Sequence, residues 1–185
     1  MRWLEAGAWC FCLLCGCALL AVKVKASAAS RAASHVETAE AHGDGTAAGA
    51  VMGRLEIAAI GLKVPIVEGY DPDSLRAGVG HIAGTAQPGG LGNMALAGHR
   101  DTFFRPLRNI RRGMKMAVYA KEGRYEYQVD STTIVKPEDV RVLAIHEKPE
   151  LTLITCYPFE YVGSAPKRFI VRAHLASVES TKSED

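Results

Sequence analysis

Beyond residue 17 the chain has a single cysteine, Cys156, so its folded part has no partner thiol with which to close a disulfide. An excess of charge of one sign is missing too. The formal net charge of +2 gives no global reason to expect nucleic acid or another strongly anionic partner. No tight group of Asp and Glu stands out as a calcium loop. No internal repeat is visible, and there is no βαβ rhythm, which argues against a doubly wound parallel sheet. What remains is a chain of short apolar runs separated by Gly, Pro and charged residues.

The 185 residues suffice for one domain with appendages rather than two full domains. The first 25 residues stand apart. Arg2 precedes an uncharged apolar stretch from Ala6 to Val22, and Lys23 and Lys25 follow it. This stretch is short for a membrane-spanning helix and long for a signal-peptide core. It is read as a single-pass signal anchor over 1–25. Cleavage near Ala26-Ser27-Ala28 and lipoprotein processing at Cys17 are the alternatives. Cys10, Cys12, Cys15 and Cys17 lie inside the apolar run, where cysteine serves as a small hydrophobe or acylation target rather than a metal ligand. Each of these readings places the rest of the chain outside the cytoplasm, at the cell membrane.

Residues 26–50 are Ala, Ser, Gly, Thr and scattered charge, a composition that cannot bury enough surface to fold and reads as a stalk. A domain is expected over 51–176, with a polar tail over 177–185. Within the domain, alternation predicts strands at Arg54–Ile57 and Leu62–Glu68, with Pro65 marking an edge or bulge. A short capped helix is expected from Asp71 to Gly78, a strand from Asn93 to Gly98, and a second short helix from Thr102 to Ile110. Lys115–Ala120 and Arg124–Val129 flank a hairpin turn at Lys121-Glu122-Gly123. Pro137–Val140 reads as a helical turn or loop. Leu151–Cys156 and Arg168–Ala173 are the last two strands. Strands dominate, so the class is mainly β, with a closed barrel as the architecture.

Three reactive side chains fall at the ends of separate strands: His99 after Asn93–Gly98, Cys156 closing Leu151–Cys156, and Arg168 opening the last strand. A lone thiol in an exported domain is either a buried small hydrophobe or a nucleophile. A neighbouring imidazole can give and take protons near neutral pH, and a guanidinium can donate to a developing oxyanion. Together they point to cysteine acyl transfer. His81, His146 and His174 compete with His99 for the imidazole role. Arg168 and Arg172, taken singly, would be surface arginines. The segment holding Arg105, Arg108, Arg111, Arg112 and Lys115 interleaves with Phe103, Phe104, Leu107 and Ile110, and reads as a short amphipathic helix with a solvated basic face, an anion- or substrate-binding surface being the alternative.

Thr152-Leu153-Ile154-Thr155-Cys156 resembles the T-L-x-T-C signature of sortases, the cysteine transpeptidases that process cell-surface proteins. Gly98-His99-Arg100 matches that family's histidine segment, and Arg168-Phe169-Ile170-Val171 its arginine strand, in the family's chain order. Gly80-His81-Ile82, Pro88-Gly89 and Gly92-Asn93 extend the match, and His99 through Phe104 is most similar to class D members. The resemblance implies an eight-stranded sortase-type barrel with short helices. It implies that Cys156 attacks a sorting signal of the L-P-x-T-G kind to form an acyl thioester, that His99 handles the proton of the leaving and incoming amines, and that Arg168 binds the substrate carbonyl oxygen. Thr155 is expected behind the site or lining the substrate. The implied partners are surface proteins with C-terminal sorting signals and an amine acceptor or water. No cofactor or metal is implied, while calcium, used by some sortases, is left open by the sequence.

Two rival readings stand beside this one. An L,D-transpeptidase is also β-rich and cysteine-dependent, but that family places arginine directly after a Gly-Cys pair, whereas Tyr157-Pro158-Phe159 follows Cys156. The other is a non-enzymatic, membrane-tethered β-barrel module whose thiol is inert.

Overall fold

The computed structural model describes residues 49–180. The anchor read over 1–25, most of the stalk over 26–50 and the end of the polar tail lie outside those residues. Eight strands run β1 (Val51–Ile57), β2 (Leu62–Glu68), β3 (Val79–His81), β4 (Asn93–Ala97), β5 (Lys115–Ala120), β6 (Gly123–Val135), β7 (Glu150–Tyr157) and β8 (Lys167–Ser180). They close into a barrel in the order β1-β2-β3-β4-β7-β8-β6-β5, with β5 returning to β1. The mainly β class and the closed barrel expected from the sequence are what the chain forms.

Alternation along the strands decides which residues fill the barrel. Met94 and Leu96 on β4 sit opposite Leu151 and Leu153 on β7, which sit opposite Ala173 and Val171 on β8. All six are buried to within 1% exposure. Leu55, Ile57, Val64, Ile66, Met116, Val118, Tyr127 and Val129 complete the interior from the other strands. Burying an aliphatic side chain of this size contributes roughly 1.5–3 kcal/mol, which is why the core holds without a staple. The same parity sends Thr152, Ile154 and Cys156 to the outer face of β7, with Arg168, Ile170 and Arg172 beside them on β8.

The hairpin at Lys121-Glu122-Gly123 forms as expected, pairing β5 with β6. The capped helix is α1 (Pro72–Ala77): the Asp71 carboxylate accepts from the backbone N–H of Asp73 and Ser74 and from the Ser74 hydroxyl. Those bonds hold the Asp71 carboxyl below the usual carboxylate range. The second helix is a single 3-10 stretch, Arg105–Asn109, with Leu107 buried. The Pro137–Val140 turn leads into a further 3-10 stretch, Val140–Leu143.

Three differences from the sequence reading have physical causes. Val79–His81 is a strand too short to show alternation, yet it is the parallel neighbour of β2 and the antiparallel neighbour of β4. Pro65 is tolerated because β3 pairs β2 only from Ile66 onward, so Pro65 faces a ladder on the β1 side alone. Finally, β6 and β8 are much longer than their apolar runs, pairing from Gly123↔Ser180 to Val135↔Arg168. The polar residues from Ser177 to Ser180 are therefore strand, and not part of a free tail.

Candidate active site

Cys156 lies on the outer face of β7, partly exposed and without a disulfide. Its cross-strand partner on β8 is Arg168. Directly opposed residues on paired strands have Cβ atoms about 4.5–5.5 Å apart, which places thiol and guanidinium within reach of one substrate carbonyl. Arg168 Nη1 donates to the carbonyl oxygens of Ala165 and Lys167 at 3.2 and 3.0 Å. Its remaining N–H groups make no hydrogen bond to a described residue, so the fork is anchored at one tip with donors to spare. Beneath the pair, Tyr157, Phe159 and Phe169 pack against one another with ring centroids 5.2–6.2 Å apart. This cluster stiffens the strand ends that carry both side chains.

His99 arrives from the other side of β7. β4 runs parallel to β7, with Ala97 opposite Ile154, and the ladder continues with Gly98 N–H donating to Ile154 O at 3.1 Å. The Thr155 hydroxyl then donates to Gly98 O at 2.7 Å. Thr155 is 2% exposed and faces inward, so it supports the histidine segment from behind. Gly98 has no room for a side chain, since a Cβ would approach the buried Phe104 ring to 2.6 Å. Phe104 in turn is seated by its N–H bonding to His99 O at 3.1 Å.

The competing histidines are all engaged elsewhere. His81 is 1% exposed, with Nδ1 on the Glu68 carboxylate at 2.9 Å and Nε2 near Ala86 O and the Thr85 hydroxyl. It knits β2, β3 and the following loop together. His146 pairs with Glu150, and His174 with Asp130. Among the described histidines, His99 alone has a ring without a hydrogen-bond partner, and it is exposed, just past the end of the strand that runs beside β7.

Two features were not legible in the sequence. Arg100 is 6% exposed. Its Nε and Nη2 grip the Asp101 carboxylate at 2.9 and 2.8 Å, and its Nη1 donates to Pro158 O at 2.8 Å. The fork holds the Asp101 carboxyl below the usual carboxylate range. The Asp101 hydrogen bonds raise the guanidinium further, with a smaller electrostatic contribution from Cys156. An arginine following a histidine gives no pattern that announces its burial.

The second feature is a cavity of about 280 Å³ on the outer face of the β6–β8 pair, lined by Thr133, Val135, Asp139, Arg141, Val142, Ile170 and Arg172. Val135 is in register with Arg168 and hence with Cys156, and Thr133 with Ile170. The cavity thus begins beside the thiol row and extends away from His99. Its outer wall is the 136–149 segment, pinned by Asn93 Nδ2 to Val142 O at 3.0 Å, while Thr152 Oγ1 donates to Asn93 Oδ1 at 2.7 Å. Arg172, read singly as a surface arginine, lies in this cavity and donates to Arg141 O. In the basic segment Phe104, Leu107 and Ile110 are buried and most of the cations are exposed, as an amphipathic turn requires, although Arg108 bonds Glu160 in the loop beyond Cys156.

Among the described residues no three or more His, Cys, Asp or Glu come together to hold a metal ion. No helix among them is long and apolar enough to cross a membrane.

A model of the sortase domain matches residues 55–176. The chain is 44% identical over 124 residues to sortase D of Bacillus subtilis, covering 66% of this chain and 63% of that protein. It is 32% identical over 136 residues to sortase A of Bacillus anthracis, covering 71% and 63%. The chain thus spans 63% of the length of each of these curated relatives. Among solved structures, a Clostridium perfringens sortase D5 transpeptidase superposes with a TM-score of 0.65 at 27% identity, covering 71% of this chain and 82% of that one. Listeria monocytogenes sortase A gives 0.66 at 27% identity, covering 73% and 93%.

Proposed function

Because the chain belongs to the sortase family, we propose that it is a cysteine transpeptidase that cleaves an L-P-x-T-G-like sorting signal and passes the acyl part to an amine. The observation that carries the reading is the row at the barrel's outer face: a partly exposed thiol, a cross-strand guanidinium with spare donors, and an unpartnered imidazole on the adjacent strand end.

In this reading Cys156 attacks the scissile carbonyl carbon as the thiolate, with His99 holding the proton it will pass to the leaving amine. A C–S bond forms, and the carbonyl electron pair moves onto oxygen. Arg168 donates to that oxygen. When the carbonyl reforms, the C–N bond breaks, and His99 gives the leaving amine its proton. Splitting the reaction this way leaves a thioester, whose second half is easier than direct exchange between amides. An incoming amine, relieved of a proton by His99, attacks the thioester and returns the thiolate. His99 lies on the β4 side of the thiol, so the leaving segment departs there. The acyl segment lies on the opposite side, in the cavity of Val135, Ile170 and Val142. The match to the sortase domain speaks against an L,D-transpeptidase, and the accessibility of Cys156 speaks against an inert core thiol.

The test uses the folded domain with a peptide carrying such a signal and a free amine. Intact mass should record an adduct on Cys156, amine should convert it to a ligated product, and His99→Ala should stop turnover with the fold unchanged. If Cys156 forms no adduct with any sorting peptide, the proposal fails.

The placement outside the membrane behind an uncleaved anchor at 1–25 belongs to the same proposal, motivated by the uncharged run from Ala6 to Val22. External protease on intact spheroplasts should remove the domain. Survival of the domain together with a cytoplasmic control would place it on the wrong side.

A further inference from the structure

We propose that Arg100, gripped by Asp101, is a positioning residue that sets the approach of His99 to Cys156. The inference rests on the cysteine-transpeptidase reading and adds a member to its machinery that does not touch the substrate. Among the described residues His99 has no side-chain partner to aim its ring, so the ring's place is fixed by backbone on either side. On one side, Gly98 is held through its N–H on Ile154 O and through its carbonyl by the Thr155 hydroxyl. On the other, only Arg100 reaches across, from the residue after His99 to the carbonyl of Pro158, two residues after Cys156.

These contacts form a short path: His99, Arg100, Pro158, Tyr157, Cys156. Through it the imidazole-bearing turn and the thiol-bearing strand end move together. A guanidinium suits this role because it is planar and offers donors in two directions at once. Nε and Nη2 lock it to Asp101 as a bidentate pair, which fixes its plane, and Nη1 is then aimed at Pro158 O. Its 6% exposure means that the bond to Pro158 is not exchanged for water. The same loop is held a second time by Arg108 on Glu160, but that bond is exposed and lies further from the thiol.

The experiment separates positioning of His99 from a general role in folding. Acylation of Cys156 is timed with two peptides of the same acyl sequence. One has an amide at the scissile bond. The other has a thioester whose thiolate leaves without needing a proton from His99. Arg100→Gln should slow acylation by the amide on the order of 10²-fold, the scale expected for a misplacement of about 1 Å. Acylation by the thioester should change by less than about threefold, because that step bypasses the imidazole. The amide KM should stay near wild type, and Arg100→Lys, which keeps one donor for Pro158, should recover part of the loss. Asp101→Asn gives a second, milder release of the fork should the Gln variant be too unstable to assay. Equal slowing of amide and thioester would overturn the proposal, since Arg100 would then act on the thiol or the fold. So would an unaffected amide rate. Failure of wild type to acylate with either peptide would instead overturn the transpeptidase reading itself.

Discussion

Cys156→Ala should abolish the covalent acyl adduct and lower sorting-peptide cleavage by on the order of 10⁴-fold or more, the scale seen when a catalytic nucleophile is removed. Thermal stability should move little. The thiol is partly exposed on the outer face of β7, so its removal opens no core cavity. Without the sulfur there is no thioester, and what remains is whatever binding and the Arg168 donors do for attack by water. The same thiol should label with a peptidyl vinyl sulfone in the folded domain. Labelling that requires denaturation, or cleavage that survives the alanine, would remove Cys156 as the nucleophile.

Arg168→Lys should lower kcat/KM by on the order of 10²-fold, about 2.7 kcal/mol of transition-state stabilisation, with the fold intact. If position 168 needed only positive charge near a thiolate, lysine would serve. The structure makes a geometric demand on the guanidinium, with Nη1 tied to Ala165 O and Lys167 O and its other N–H groups without a partner among the described residues. An ammonium has no second edge to offer once it is tied, and it is costlier to desolvate. Arg172 is unsuitable as a neutral control, because it lines the cavity on the same outer face. Arg112→Lys, at an exposed position away from the row, should leave kcat/KM unchanged. Equal activity of Arg168→Lys and wild type would take Arg168 out of the catalytic set.

The parts of this site that the sequence announces are those carried by period and punctuation. Leu151–Cys156 and Asn93–Gly98 are apolar runs ending in a reactive side chain, and strands deliver their last residue to a rim. Arg172 could have been placed by the same rule, since residues four apart on a strand share a face, which puts it on the face of Arg168. Three other features follow no such rule. Val79–His81 has too few residues to show alternation. The outer halves of β6 and β8 are exposed, each paired with the other strand's more buried half rather than filling the barrel, so composition hides them. Arg100 is buried by a contact from position 158, across 58 residues of chain, and nothing local encodes it. The burial of Thr155 likewise reflects which face of β7 turns inward, a matter of one residue in register.

The position of β8 in the barrel has a consequence for the order of assembly. The final strand is not an edge: it is inserted between β7 and β6 and bridges the two halves of the sheet. Its pairings with β6 run from Val135↔Arg168 to Gly123↔Ser180, all of them long-range, and such contacts are slow to find because loop-closure entropy is lost before they form. Until β8 is in place the barrel stays open, and Cys156 lacks the strand that brings Arg168 opposite it. The Cys156–Arg168 pair therefore forms only once the chain through β8 has been made and has entered the barrel. Synthesis of β8 thus times the pairing that the proposed acyl transfer needs.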